Sequence, residues 1–270
     1  MSGDRIREVI QKLLPAAVQE LGDLIRFPST SGREHEAMVF LRGRLKEEGF
    51  TVEPVPLANS LRADPDYSDP IPDIEYDGRF NLRVSMPGSG GGRTLVMNGH
   101  TDVVPPSVDQ PDPWTPRIEN GLLYGRGACD AKGQVATLLL TLRALRALSI
   151  KLRGSVIAHL VNEEENGGNG SLAMARRGEK ADACVVLEPT DRRVFTSIRG
   201  AVWFRLVFSG RAGHSGQAGV TRSALLMARL SSSDKPSAGS DSSADAPPEI
   251  RHSTRSSAVI SPMSGRPHTL

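Results

Sequence analysis

The stretch RTLVMNGHTD, residues 93–102, decides the fold class of this chain. It follows the flexible run GSGGG, climbs through an apolar run, and ends with His100 and Asp102 one residue apart. A short apolar run bounded by turn residues predicts a buried strand. A polar pair at the carboxyl end of such a strand lies where open α/β sheets place their ligands. Working outward, NLRVSMPG before it is a second strand, and residues 132–149 make a strongly apolar helix. SVIAHLVNE predicts a buried strand, LAMARRGEK a helical piece, and ADACVVLEP another buried strand with Cys184 as a core thiol. Upstream, apolar residues recur every three or four positions over 4–26 and 33–48, which predicts two helices. FPSTSGRE lies between them as a turn able to cap the second, and FTVEPVPL begins an extended segment. The Asp- and Pro-rich segment 59–79 predicts a loop long enough to be mobile or substrate-facing. Strands alternating with helices predict an α/β sheet.

Composition excludes some functions. A net charge of +2 over 270 residues gives no reason to expect nucleic-acid binding. Two cysteines, Cys129 and Cys184, make no disulfide framework. No apolar stretch approaches the roughly 20 residues that span a bilayer. The N-terminus carries charges throughout and predicts an amphipathic helix, not a signal peptide. The expectation is a cytoplasmic protein with neither membrane nor nucleic acid as partner.

The pattern changes near Arg199. AVWFRLVFSGRAGHSG predicts a strand running into a glycine-rich turn, and SALLMARL starts a helix. From Ser231 to Leu270 there are twelve Ser in forty residues, with Pro, Ala and Asp making up much of the rest. Such a segment buries too little apolar surface to offset its ordering entropy and predicts a disordered tail.

Four short clusters carry chemistry. In the first, Asp102 follows His100 by two residues, so on an extended chain both point to one side. Asp102 is placed to fix the His100 ring tautomer; the alternative is a structural His–Asp pair in a turn. In the second, GRGACDAKG, Asp130 just before the apolar helix is either a metal ligand able to bridge two ions or a helix N-cap. In the third, HLVNEEENGGNG, Glu163, Glu164 and Glu165 repel one another unless a cation or solvent absorbs the charge. A solvated acidic loop is the alternative, and GGNG lets the backbone turn tightly. In the fourth, Glu188 directly follows a buried strand, where an unpartnered carboxylate is costly. One imidazole among several carboxylates suits a hard or borderline divalent cation. His214 in GRAGHSG is a lone histidine in a turn, and His35, His159, His252 and His268 take structural or solvent-exposed readings.

These four clusters together with GHSG resemble the aminoacylase, acetylornithine deacetylase and succinyl-diaminopimelate desuccinylase family, which includes carboxypeptidase G and related di-zinc exopeptidases. The matches run in the family's order from FPSTSG to GHSGQAG. The resemblance implies an α/β mixed sheet flanked by helices over residues 1–199. It also implies the beginning of a small α+β lid and dimerisation domain over 200–230, ahead of the tail at 231–270. It implies two Zn²⁺ ions, with Co²⁺ or Mn²⁺ as substitutes. Asp130 would bridge them, His100 and Glu188 would complete one shell, and Glu165 would bind the other ion. Asp102 would orient His100, Glu164 would be the general base and acid, and His214 would polarise the scissile carbonyl. The implied substrate is an N-acyl amino acid or small peptide, cleaved at an amide by an activated water, and the implied assembly is a homodimer.

Family members continue past GHSGQAG into a segment that brings a last histidine ligand. Here SALLMARL breaks into the Ser-rich tail, so the resemblance implies a C-terminally truncated chain, with His252 and His268 lacking the surroundings of that ligand. Two further readings stay open. One is a catalytically impaired homologue that binds metal without turnover. The other is a phosphate- or nucleotide-binding α/β protein, although neither GSGGG nor GRGACDAKG has the phosphate-loop pattern.

Overall fold

The computed structural model describes residues 2–68 and 74–197. The chain divides at Val194, and every element below belongs to the part before it. Helices α1 (Gly3–Ile25) and α2 (His35–Glu47) come first, followed by strand β1 (Thr51–Pro56) and a 3-10 turn at Asn59–Ala63. Strands β2 (Phe80–Met86), β3 (Leu95–His100), β4 (Arg117–Glu119) and β5 (Leu122–Tyr124) follow. Helix α3 (Lys132–Ala147), strand β6 (Val156–Val161), helix α4 (Asn169–Arg176) and strand β7 (Ala183–Val186) complete the set.

Five strands form one sheet in the order β1-β2-β6-β3-β7, with β4 and β5 a separate hairpin. β1, β2 and β6 pair antiparallel, whereas β3 runs parallel to both β6 and β7. The sheet is therefore mixed, as expected, and its parallel half sends three strand ends to one edge.

Strand parity shows how the layers form. Val156, Ala158 and Leu160 of β6 join Leu82 and Val84 of β2 in a core with Leu24, Met38, Leu41, Leu138 and Leu142 from the first three helices. Val161, of opposite parity, packs instead with Val55 and Met174 of α4. Because alternate side chains leave opposite faces of a strand, α1–α3 cover one face and α4 the other. β6 is buried at all six positions for this reason. Among the described residues, no helix is long and apolar enough to cross a membrane.

Three expectations need correction. Among the described residues β7 is an edge strand paired with β3 alone, all four of its residues are exposed, and Cys184 is an exposed thiol. Its apolar composition suggested a core position, but the helices pack over β1, β2, β3 and β6 instead. The FPSTSGRE turn supplies the N-cap position of α2 through its last residue, Glu34, but no side-chain capping hydrogen bond. Ser29 turns to the β3 end: its hydroxyl donates to the Thr101 carbonyl at 2.7 Å, and its own carbonyl accepts the Val103 N–H at 3.0 Å. The described parts of segment 59–79 are fastened down rather than loose. Ser68 and Asn169 exchange hydrogen bonds of 3.0 and 2.6 Å, and Tyr76 and Arg79 are buried.

Candidate metal centre

The carboxyl ends of the three parallel strands build the site. Register pairs His100 of β3 with Val161 of β6, two residues before Glu163, and Asn98 with Val186 of β7, two residues before Glu188. The alignment brings an imidazole, a run of glutamates and a fourth carboxylate to one sheet edge. Asp130 joins from the loop before α3, where Gly127 at φ +83° makes the approach possible. A Cβ there would lie 2.7 Å from Val103 Cγ1, so glycine meets both the left-handed backbone and the close packing.

His100 is the buried hub, 1% exposed. Its Nδ1 lies 3.0 Å from the Asp102 carbonyl oxygen and 3.5 Å from the Asp102 carboxylate. That contact leaves Nε2 facing outward, 3.2 Å from Asp130, 3.7 Å from Glu188 and 3.8 Å from Glu164. Two overlapping groups result. In His100–Glu164–Glu188 and again in His100–Asp130–Glu165, one ligand-type atom from each residue lies within 4.8 Å of the others. Asp130 makes no capping bond to α3, whose N-cap is Ala131, so the helix-cap alternative does not hold.

The electrostatics follow from the crowding. Burial alone would pull the His100 imidazole down, but the neighbouring Asp102 and Glu188 carboxylates outweigh it and push the ring up to about 11. Burial, with Asp130 beside it, pushes Glu165 up to about 7, and burial raises Glu164 although His100 opposes it. The carboxylates thus crowd negative charge around one imidazole. A divalent cation fits such a donor set.

Two features of the cluster were not expected. Asp102 is fully buried, and its carboxylate accepts the backbone N–H groups of Glu164 and Glu165, each at 3.1 Å, beyond its contact with His100. Glu163 does not face the site. It is buried, with Oε2 accepting the Tyr76 hydroxyl at 2.6 Å and Oε1 accepting Arg79 Nη1 at 2.6 Å. The repulsion among the three glutamates is therefore relieved in part by Arg79, an in-chain cation not foreseen from the local pattern. Gly167 and Gly168 take φ of +113° and +81°, the tight turn expected of GGNG. His159 is buried and bonds Glu179 at 2.8 Å, in keeping with its structural reading. His214, His252 and His268 lie outside the described residues.

The sequence model of peptidase family M20/M25/M40 matches residues 96–256, which include every residue of this cluster. The chain belongs to that family. The succinyl-diaminopimelate desuccinylase of Methylorubrum extorquens is 35% identical over 206 residues, covering 71% of this chain and 49% of its own length. That of Leptothrix cholodnii is 37% identical over 172 residues, covering 58% and 45%. The chain spans about half the length of these curated relatives. Human carnosine dipeptidase 1 superposes with a TM-score of 0.56 at 22% identity, covering 74% of this chain and 43% of that one. The dipeptidase Dug1p of Saccharomyces cerevisiae gives 0.56 at 17%, covering 68% and 40%. At these identities the superpositions support the fold alone.

Proposed function

We propose that this family member holds two divalent ions, Zn²⁺ in the first instance, and hydrolyses the amide bond of an N-acyl amino acid or small peptide. The observation that carries the reading is the outward-facing Nε2 of His100 within 3.2–3.8 Å of three carboxylates from different parts of the chain. Asp130 is proposed to bridge the ions, with His100 and Glu188 on one and Glu165 on the other. When bound, such ions polarise a carbonyl and lower the pKa of a water to near neutrality. Glu164 would be the group that accepts a proton from the attacking water and returns it to the leaving amine. Burial raises its affinity for protons, the direction that a proton-exchanging carboxyl needs. Asp102 orients His100 and the backbone of the two glutamates. Residues 200–230 are proposed as the start of a lid that brings His214 to the substrate carbonyl.

The names of the curated relatives make N-succinyl-diaminopimelate the first substrate to try, with N-acetylornithine and dipeptides beside it. The test is metal content of the purified full chain, measured on the same sample as amide hydrolysis. Two ions with turnover support the reading. Metal without turnover overturns the enzyme reading and leaves the site, whereas no metal overturns both.

A further inference from the structure

The family resemblance accounts for Glu164 and Glu165 but not for the buried cluster directly behind them. Arg79 sits between two carboxylates. Its Nη1 donates to Glu163 at 2.6 Å, and its Nη2 donates to both oxygens of Glu34 at 2.9 Å. The guanidinium also lies 5.1 Å from the centre of the Tyr76 ring, whose hydroxyl donates to the other Glu163 oxygen. Glu34, Arg79, Tyr76 and Glu163 are all buried, and they come from three separate parts of the chain, Tyr76 and Arg79 sharing one.

Glu163 needs these partners. Its φ is +60°, a left-handed backbone that a side-chain-bearing residue adopts at a cost. Its carboxylate is excluded from water, where an unpaired charge is unfavourable by several kcal/mol in general. Released from Arg79, it would seek solvent or another cation. The cation-attracting cluster that Glu164 and Glu165 line begins one residue along the chain.

We propose that Arg79 is a positioning residue for the metal centre. By holding Glu163 in the interior, it withdraws one of three adjacent ligand-type side chains and fixes Glu164 and Glu165 as the pair that faces His100. Tyr76 assists by occupying the second oxygen of Glu163. Glu34 braces the guanidinium from the opposite side. The inference rests on the metal-centre reading above.

The experiment is a Co²⁺ titration of the metal-stripped full chain, read by visible absorption and paired with circular-dichroism melts of the metal-free proteins. The comparison runs over wild type, Arg79→Met, Tyr76→Phe, Glu163→Gln, and each of the first two substitutions combined with Glu163→Gln. Arg79→Met should change the Co²⁺ spectrum and shift the affinity by about 10–100-fold, the usual range when a residue supporting metal ligands is lost. Tyr76→Phe should move the spectrum the same way by less. Adding Glu163→Gln, which leaves no free carboxylate at that position, should return both spectrum and affinity to those of the wild type. A purely structural Arg79 would give the same Co²⁺ behaviour with and without Glu163→Gln, and that result overturns the proposal. Should Arg79→Met not fold, the Tyr76→Phe pair decides by the same criterion. A folded wild type that takes up no Co²⁺ overturns the metal-centre reading itself and this inference with it.

Discussion

The carboxylate of Asp102 holds the backbone of Glu165: Oδ2 accepts its N–H at 3.1 Å, while Oδ1 accepts that of Glu164 at the same distance. One buried side chain thus fixes the imidazole on its own strand and the turn after the neighbouring strand. Asp102→Ala should leave two amide donors unsatisfied, at about 1–3 kcal/mol each. It should also weaken divalent-metal binding by about 10–100-fold, because His100 and both glutamates lose their support. Urea unfolding of the metal-free protein tests the first effect and Co²⁺ titration the second. An unchanged unfolding midpoint would show that the clamp is not needed.

Glu164 and Glu165 are adjacent, yet their assigned tasks differ. Glu164→Gln should lower the hydrolysis rate by about 10²–10⁴ with metal content unchanged, since the amide keeps the shape but cannot accept the water proton. Glu165→Gln should instead lose metal. The geometry makes this a sharp comparison, because Glu164 shares a ligand-distance group with His100 and Glu188. Metal loss from Glu164→Gln with full retention in Glu165→Gln would exchange the two roles.

Much of the site was legible because its residues sit at strand ends, where an apolar run stops at a polar group. His100, Glu188 and the glutamate run all announce themselves this way, and parallel pairing then brings them together. The fate of Glu163 was not legible. Its partner Arg79 is 84 residues away in a polar segment, and nothing local marks that arginine as buried. The exposure of β7 was misread for a related reason, since composition reports what a strand can bury and not whether anything covers it. The hairpin β4–β5 was missed despite an available signal. Asn120–Gly121 joins its strands with φ of +52° and +78°, the left-handed pair that an Asn–Gly turn provides.

Lys132 anchors the loop that carries Asp130. It is 1% exposed, and its ammonium donates to the carbonyls of Leu24 and Phe27, at 2.9 and 2.7 Å. These carbonyls lie at the end of α1, where a cation is favoured. Lys132→Met keeps the apolar stem but strands both acceptors, so the protein should lose about 1–3 kcal/mol. The start of α3 should loosen with it. Hydrogen exchange at residues 127–136 would show faster exchange than in the wild type, and unchanged exchange would disprove the anchor.

The tie between the 3-10 segment and α4 should make stability depend on acid in a definite direction. Arg176 donates to Asp64 at 2.6 and 2.8 Å and also to Asp66. The guanidinium holds the Asp64 carboxyl down at about 2, below its ordinary 3.8. Because the folded state binds this proton less readily than the unfolded chain, the contribution is fully present above the ordinary value. It is then lost as pH falls through the folded value. The melting-temperature difference between wild type and Arg176→Ala should therefore be constant from about pH 7 to 5 and narrow steadily below it. Asp64→Asn should remove most of that pH dependence while leaving the neutral-pH fold intact. A difference that stays level from pH 5 to 3 would assign the stabilisation to packing of the arginine stem rather than to charge.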